Sequence, residues 1–159
     1  MAEIIGRSGD GFWGTAFFTK TYDEGVGLVV EARNYFATAA AEASGLTMAQ
    51  QLGYCRESLS LTSRLMQIMG RLLVQRAVEN RELTAEDARS DEMRMPRARV
   101  YLDDEIVATG GLPPAIADLT VRSRRLFVRI VRLDDMLVRE AVRETDSPPT
   151  AAPTSDQIP

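Results

Sequence analysis

Apolar residues recur at helical spacing in three long segments of this chain. In the first segment, Phe18, Tyr22, Val29 and Phe36 share one face, and the pattern predicts a helix over about 15–43. Small residues repeat every seven positions along the same helix, namely Gly25, Ala32 and Ala39. Because the distance between packed helices depends on the side chains at their contact, we expect a second helix to approach this strip closely.

The second segment carries two apolar stripes instead of one. Thr47 and Gln50 have the spacing of a capping box, which predicts a helix from Thr47 to about Asn80. The first stripe repeats every seven residues and consists of Leu52, Leu59, Met66 and Leu73. The second consists of Tyr54, Leu61, Leu65, Ile68 and Leu72. A helix with so wide an apolar face needs at least two partners, and we expect burial between the other helices to explain much of the width, with Arg64 and Arg71 at its margin.

The third segment opens at Pro113-Pro114, where proline is tolerated in a first turn, and its pattern predicts a helix to about Arg143. The apolar face of this helix consists of Ile116, Leu119, Leu126, Ile130, Leu133, Leu137 and Ala141. No segment shows the alternation that is typical of a strand. The fold class predicted from these patterns is all-α, a bundle of three long helices.

The composition changes outside the three helical segments. Residues 1–14 are rich in glycine and are expected to form a flexible lead, followed by a helical bundle domain over 15–143 and a disordered, proline-rich tail over 144–159. Residues 81–112 are expected to form a flexible connection, in which Thr84 and Asp87 could begin a short helix through about Glu92. A connection of this length in a compact domain is often functional.

The residue inventory argues against an enzyme. The 159 residues include no histidine, which removes the commonest metal ligand and general base, so we expect no metal and no cofactor. The lone cysteine, Cys55, is interpreted as a buried structural thiol and fits a reducing, cytoplasmic setting. No uncharged apolar stretch approaches the ~18–20 residues that span a bilayer, so no membrane contact is expected.

Arginines along the third helix are the candidate binding residues. Their steps of three, four or seven residues place them on one face, and they are Arg122, Arg125, Arg129, Arg132 and Arg139. They could form a solvated face that acids in neighbouring turns partly neutralise, or the acidic connection at 103–105 could dock onto them. They could also bind an acidic protein partner. Nucleic acid is less favoured, because the net charge is −4 and the chain has a single lysine, Lys20.

Three segments together resemble the helices of the RcdA family, bacterial regulators of the proteolysis of the cell-cycle transcription factor CtrA. They are AFFTKTYDEGVGLVVEARNYF (16–36), SRLMQIMGRLLVQRAVENREL (63–83) and LFVRIVRLDDMLVR (126–139). The resemblance implies a dimeric three-helix bundle without enzymatic activity. It also implies an adaptor that helps a ClpXP protease, primed by a response regulator, to recruit substrates or further adaptors, often at a cell pole.

Our leading expectation is therefore a non-enzymatic, homodimeric adaptor in regulated proteolysis of cell-cycle regulators. The candidate partner-binding residues are the five arginines of the third helix, and the candidates for the dimer interface are Met66, Met69 and Leu73. The alternative is a helical regulator that binds nucleic acid through the same arginines.

Overall fold

The structure, a computed structural model, describes residues 15–95 and 111–146. Its helices are α1 (Thr15–Thr38), α2 (Ala40–Ser44), α3 (Met48–Glu79) and α4 (Pro114–Asp146), and one 3-10 turn spans Asp87–Arg89. The three long helices α1, α3 and α4 each pack against the other two. The predicted all-α three-helix bundle is confirmed, with no strand in the described ranges. The expected flexible lead, the middle of the 81–112 connection and most of the expected tail lie outside the described residues.

The predicted start signals of α3 and α4 are confirmed. The Thr47 hydroxyl accepts a hydrogen bond from the Gln50 backbone N–H at 3.4 Å, and the Thr47 backbone N–H donates to the Gln50 side chain at 2.9 Å. This reciprocal pair satisfies two N–H groups that a helix start leaves without intrahelical partners. Pro114 is the first residue of α4, where its lack of an N–H costs nothing.

The first predicted helix is divided in two. We expected one helix over about 15–43, but α1 ends at Thr38 and the short α2 begins at Ala40. The Thr38 hydroxyl donates to the backbone carbonyls of Asn34 and Tyr35 at 3.4 and 3.2 Å. Threonine hydroxyls that bond back to the preceding turn can bend helices, and these bonds lie at the residue where α1 ends.

The described part of the connection is anchored by a short turn. The Asp87 backbone N–H donates to the Thr84 hydroxyl at 3.1 Å, so Thr84 acts as the predicted start signal, although the helix that follows covers only Asp87–Arg89. Ala88 and Met95 are buried against the bundle. The segment 84–95 therefore belongs to the folded domain.

The core is an apolar cluster between the facing sides of the three long helices. It consists of Phe18, Leu28 and Ala32 of α1, Leu61, Leu65, Ile68 and Leu72 of α3, and Ile116, Leu119, Leu126, Phe127, Ile130 and Leu133 of α4, together with Met95. Val29, which we placed on the inner face of α1, is instead exposed. Gly25 confirms the expected close approach, since a Cβ at that position would lie 3.0 Å from Leu72 Cδ1 and 3.1 Å from Met69 Sδ.

Two arginines expected at the margin of α3 are buried, so that expectation was wrong. Arg64 forms an ion pair with Glu57 at 3.7 Å, and its Nη1 donates to the Ser123 hydroxyl of α4 at 3.0 Å. Arg71 forms an ion pair with Asp134 of α4 and donates to the Ala88 carbonyl at 2.9 Å. Buried charges persist where they are paired and hydrogen-bonded, and these partners supply both conditions.

One apolar stripe of α3 is buried and the other is exposed. The stripe that contains Leu61, Ile68 and Leu72 is buried between α1 and α4. The seven-residue stripe is exposed, at 74% for Leu52, 72% for Leu59, 71% for Met66 and 51% for Leu73. Burial between the other helices therefore does not explain the width of the apolar face. Cys55 is also exposed, which corrects its interpretation as a buried thiol.

Candidate functional site

The side of α3 that faces away from α1 and α4 is the first candidate binding surface. We call it the outer face of α3, and its residues are Met48, Ala49, Leu52, Cys55, Arg56, Leu59, Thr62, Ser63, Met66, Gly70 and Leu73. A shallow groove of about 460 Å³ lies along its first half and is lined by Leu52, Cys55, Arg56, Leu59, Ser60 and Ser63. Contiguous apolar surface of this kind often marks a site of protein–protein interaction.

The three residues proposed for a dimer contact do not share one environment. Met66 and Leu73 are exposed on the outer face of α3. Met69 is half-buried, packs against the core and has its sulfur beside Gly25 of α1. Met66 and Leu73 are therefore open to solvent, whereas Met69 supports the contact between α3 and α1.

The five arginines of α4 fall into two groups. Arg122 donates from Nη1 and Nη2 to the two carboxylate oxygens of Glu31 on α1, at 2.6 and 2.9 Å, and also contacts Asp118 at 3.1 Å. Arg129 forms an ion pair with Glu24, one heptad earlier on α1. These two arginines join α4 to α1 along one edge of the bundle.

The ion pair between Arg122 and Glu31 shifts the pKa values of both groups. Hydrogen bonds from Arg122 lower the pKa of Glu31 below its usual range, against a smaller opposing effect of burial. The hydrogen bonds to Glu31 and then to Asp118 raise the pKa of Arg122. Both side chains remain partly exposed, so solvent weakens their attraction.

The other three arginines form the second candidate binding surface. Arg125, Arg132 and Arg139, which we call the arginine row, are exposed and form no ion pair with another described side chain. Their seven-residue spacing sets them about 10.5 Å apart at ~1.5 Å per residue. Exposed apolar side chains lie near the row on the same helix, namely Val121, Met136 and Val142. The row thus combines cationic groups with apolar contacts, as protein-binding surfaces often do.

The ionisable groups in the interior have structural partners. Besides its ion pair with Arg64, Glu57 accepts a hydrogen bond from the Thr120 hydroxyl at 2.9 Å, and Asp134 accepts one from the Met95 backbone N–H at 3.4 Å. Burial, followed by hydrogen bonding with Tyr54 and Glu42, raises the pKa of Tyr35. These groups tie helices together, and over 15–95 and 111–146 no group of three or more acids and cysteines is arranged to hold a metal ion.

Sequence reasoning placed the arginines on one helix face but missed the α1 carboxylates that divide them. Glu24 and Glu31 are seven residues apart, as are Arg122 and Arg129. Two helices packed side by side bring such pairs into register over two turns. Matching heptad spacings of opposite charge on α1 and α4 were the signal that could have found this contact.

Within the described ranges, none of the helices has the length and apolar character needed to cross a bilayer. The fold and the two surfaces define a class of protein, an all-α bundle whose candidate sites are exposed helix faces. Residues 10–158 match a family described as "Protein of unknown function (DUF1465)". A search of curated proteins finds no match.

One solved structure connects this family to a named protein. The chain is similar to RcdA from Caulobacter crescentus CB15, with 36% sequence identity and a TM-score of 0.59 over 76% of this chain and 89% of that chain. The protein belongs to the DUF1465 family, the RcdA-type family, and the resemblance read from its sequence is confirmed.

Proposed function

We propose that this protein is a non-enzymatic, homodimeric adaptor in regulated proteolysis of cell-cycle regulators, which helps a primed ClpXP protease to recruit substrates. Its similarity to RcdA over 76% of the chain is the observation that carries the proposal. Its partners would be the ClpX complex, a response regulator, and substrates or further adaptors. It would act in the cytoplasm, with a cell pole as the site to examine first.

The distribution of charge supports binding functions for the exposed helix faces. The buried Arg64, Arg71, Glu57 and Asp134 hold α3, α4 and the 84–95 segment together, so they are committed to the fold. An adaptor needs at least two surfaces, one for self-association or the protease and another for cargo. The outer face of α3 and the arginine row lie on different helices and share no residue.

Degradation in a reconstituted system tests the adaptor proposal. ClpX, ClpP, a response regulator and a candidate substrate would be combined with and without this protein, and the loss of substrate followed over time. The proposal predicts faster degradation when the protein is present. Unchanged degradation across all candidate response regulators and substrates would contradict it.

The arginine row is proposed as a binding surface for an acidic protein partner. Replacing Arg125, Arg132 and Arg139 together by Gln should weaken the recruitment of such a partner and should reduce its salt dependence, because charge steers association. A matched control replaces three basic residues elsewhere by Gln, at Lys20, Arg33 and Arg81. Equal loss in both triple variants would show that total charge, and not the row, is responsible.

A gel shift at low salt tests the alternative of nucleic-acid binding on the same surface. Binding to phosphates would weaken steeply as salt is added. Carboxylates of α1 neutralise Arg122 and Arg129. Only the three arginines of the arginine row therefore remain to bind a polyanion. We therefore expect no shift, and a shift that the arginine-row variant abolishes would favour the alternative.

A further inference from the structure

A repeating pattern runs along one exposed side of α4. Its members alternate between arginine and a second kind of residue, three or four positions apart. In chain order they are Val121, Arg125, Val128, Arg132, Asp135, Arg139 and Val142. Val128 is half-buried and the other six are exposed. Steps of three and four residues return to the same side of a helix, so these side chains form one strip, which we call the outer seam of α4.

The outer seam has the spacing of a coiled-coil contact. In a heptad repeat, two positions in every seven residues face the partner helix, and they are separated alternately by three and four residues. The outer seam follows this rule over about 32 Å at ~1.5 Å per residue. A separate set of residues, which includes Leu119, Leu126 and Leu133, packs the inner side of α4 against α1 and α3. The outer seam therefore has the spacing to receive one further helix.

The charge of the outer seam selects the kind of helix. Arginine occupies one of the two positions in each repeat, and valine occupies the other except at Asp135. An arginine in a helix contact needs an opposite charge, because an unmatched charge that loses its water is costly. A second copy of the seam would bring three more arginines and a single acid to the contact. Charge complementarity therefore favours a different, acidic partner.

The contact between α1 and α4 shows how a helix binds arginines of α4. Glu24 and Glu31 are seven residues apart on α1, and they pair with Arg129 and Arg122, which are seven apart on α4. Arg122 donates to the two carboxylate oxygens of Glu31 at 2.6 and 2.9 Å. A helix brings a carboxylate to the same side every seven residues, or about 10.5 Å, which is the spacing of the arginines. Side chains on one side of a strand repeat at multiples of about 6.7 Å, so a strand cannot match this spacing.

We propose that an amphipathic helix of a partner protein binds along the outer seam of α4 and carries Glu or Asp at every seventh position. These acids pair with the three arginines of the arginine row. The apolar residues between the acids pack on the valines of the seam, and a basic residue faces Asp135. The proposal rests on the acidic protein partner of the proposed function, and it specifies the fold of the bound segment and the spacing of its charges.

The size of the seam makes this contact a reversible one. A strip about 32 Å long and about 10 Å wide corresponds to roughly 320 Å² per partner in projection. The total area buried on both partners then stays below the ~1,200 Å² that separates weak, transient encounters from stable interfaces. Three ion pairs at an exposed surface each add only a small factor to the affinity. A contact of this strength suits an adaptor, which must release what it delivers.

Two synthetic peptides of equal composition test the spacing. Each is a helix of about 21 residues, or three heptads, built from alanine and leucine, with lysines on the opposite side and three glutamates. In the first peptide the glutamates are seven residues apart. In the second they are five apart, which spreads them around the helix, and the leucines are unchanged. Circular dichroism verifies that both peptides are equally helical, and fluorescence anisotropy of a labelled peptide measures its binding to the full chain.

We expect the seven-residue peptide to bind about tenfold more tightly than the five-residue peptide, since three matched ion pairs each contribute a small factor. Replacing the three arginines of the arginine row by Gln should remove this difference. The control variant, with Gln at Lys20, Arg33 and Arg81, should retain it. Equal binding of the two peptides to wild type, binding of neither, or a difference that persists in the arginine-row variant would each overturn the proposal.

An exchange of charge tests the central pair. Arg132→Glu should weaken the binding of the seven-residue peptide, because like charges then meet at the centre of the seam. A peptide with Lys in place of the central glutamate should bind Arg132→Glu more tightly than it binds wild type. If it does not, Arg132 does not face the central acid and the proposed contact is wrong.

The degradation assay separates this proposal from the proposed function. Selective binding of the seven-residue peptide, with no effect of the protein on degradation, would support the contact and contradict the adaptor role. Faster degradation in the presence of the protein, without selective binding of that peptide, would support the adaptor role and overturn the contact.

Discussion

At the scale of single residues, buried charge determines how α3 and α4 fit together. Arg71 reaches across the interface to Asp134, and Asp134 also accepts the backbone N–H of Met95. Arg71 in turn donates to the carbonyl of Ala88. One ion pair thus fixes two helices and the segment that follows α3. A residue with so many buried partners should be far more sensitive to substitution than its exposed neighbour.

Asp134→Asn tests this role, with Asp135→Asn as the matched control. We expect Asp134→Asn to lower the free energy of unfolding by roughly 3–5 kcal/mol, because it leaves the buried Arg71 without a counter-charge. Asp135 is exposed, so its substitution should change the free energy of unfolding by only about 0.5 kcal/mol or less. Urea denaturation followed by circular dichroism measures both values. Equal effects of the two substitutions would contradict the role of Asp134.

The sequence could not show that Arg64 and Arg71 are buried. Arg64 pairs with Glu57 in its own helix but also contacts Ser123, and Arg71 depends on Asp134 and Ala88. Most of these partners are distant in the sequence, and only the fold brings them together. Arginine is usually exposed, so a reading of the pattern alone places it at the margin.

At the scale of elements, Gly25 sets the distance between α1 and α3. Gly27, on the same helix, provides a control, because a Cβ at that position would meet nothing within 4 Å. Gly27→Ala should raise the free energy of unfolding by about 0.5–1 kcal/mol, because alanine favours the helix over glycine. The free energy of unfolding of Gly25→Ala should be at least about 1 kcal/mol lower than that of Gly27→Ala, because the added Cβ crowds Leu72 and Met69. Thermal or urea unfolding of the two variants measures this difference. An equal rise in the free energy of unfolding for both would show that α1 and α3 do not touch at Gly25.

The ion pair between α1 and α4 predicts a pH dependence of stability. Arg122 lowers the pKa of Glu31 in the folded state, so the contribution of the pair is fully present above the unfolded pKa of 4.5 and is lost as the pH falls through the folded value. The free energy of unfolding of wild type should therefore exceed that of Glu31→Gln by up to about 1 kcal/mol at pH 7. This difference should shrink below pH 4.5.

A control for that measurement is Glu86→Gln. Glu86 is exposed and forms no ion pair with another described side chain, so its substitution should give no comparable difference between neutral and acidic pH. If Glu31→Gln and Glu86→Gln behave alike across the pH range, the pair between Glu31 and Arg122 does not stabilise the bundle.

The periodicity of the sequence predicted where the helices lie better than which side of each helix faces the core. It identified the starts of α3 and α4, and the capping signals at Thr47 and Pro114 have local causes. It missed the break at Ala39, because the seven-residue spacing of Gly25, Ala32 and Ala39 continues through it. It could not decide which stripe of α3 faces the core, since both stripes satisfy helical spacing. Only the packing of α1 and α4 on the side of Leu61 and Ile68 distinguishes them.

At the scale of the whole molecule, the bundle presents two different exterior faces. The outer face of α3 is apolar and nearly uncharged, whereas the arginine row on α4 is cationic. The first is the kind of surface that the proposed homodimer would need, because obligate interfaces are more hydrophobic than transient ones. The second suits a reversible contact, since exposed charges act on the rate and specificity of association.

The mass of the protein in solution is the most direct test of the proposed homodimer. Light scattering would measure this mass for wild type and for Met66→Glu. We expect wild type at twice the 17.6 kDa of one chain and Met66→Glu at 17.6 kDa with an unchanged helical spectrum, because Met66 is exposed within the chain. Met136→Glu, an equivalent change on α4, should leave the mass doubled. A wild-type monomer at high concentration, or an unfolded Met66→Glu, would contradict the account.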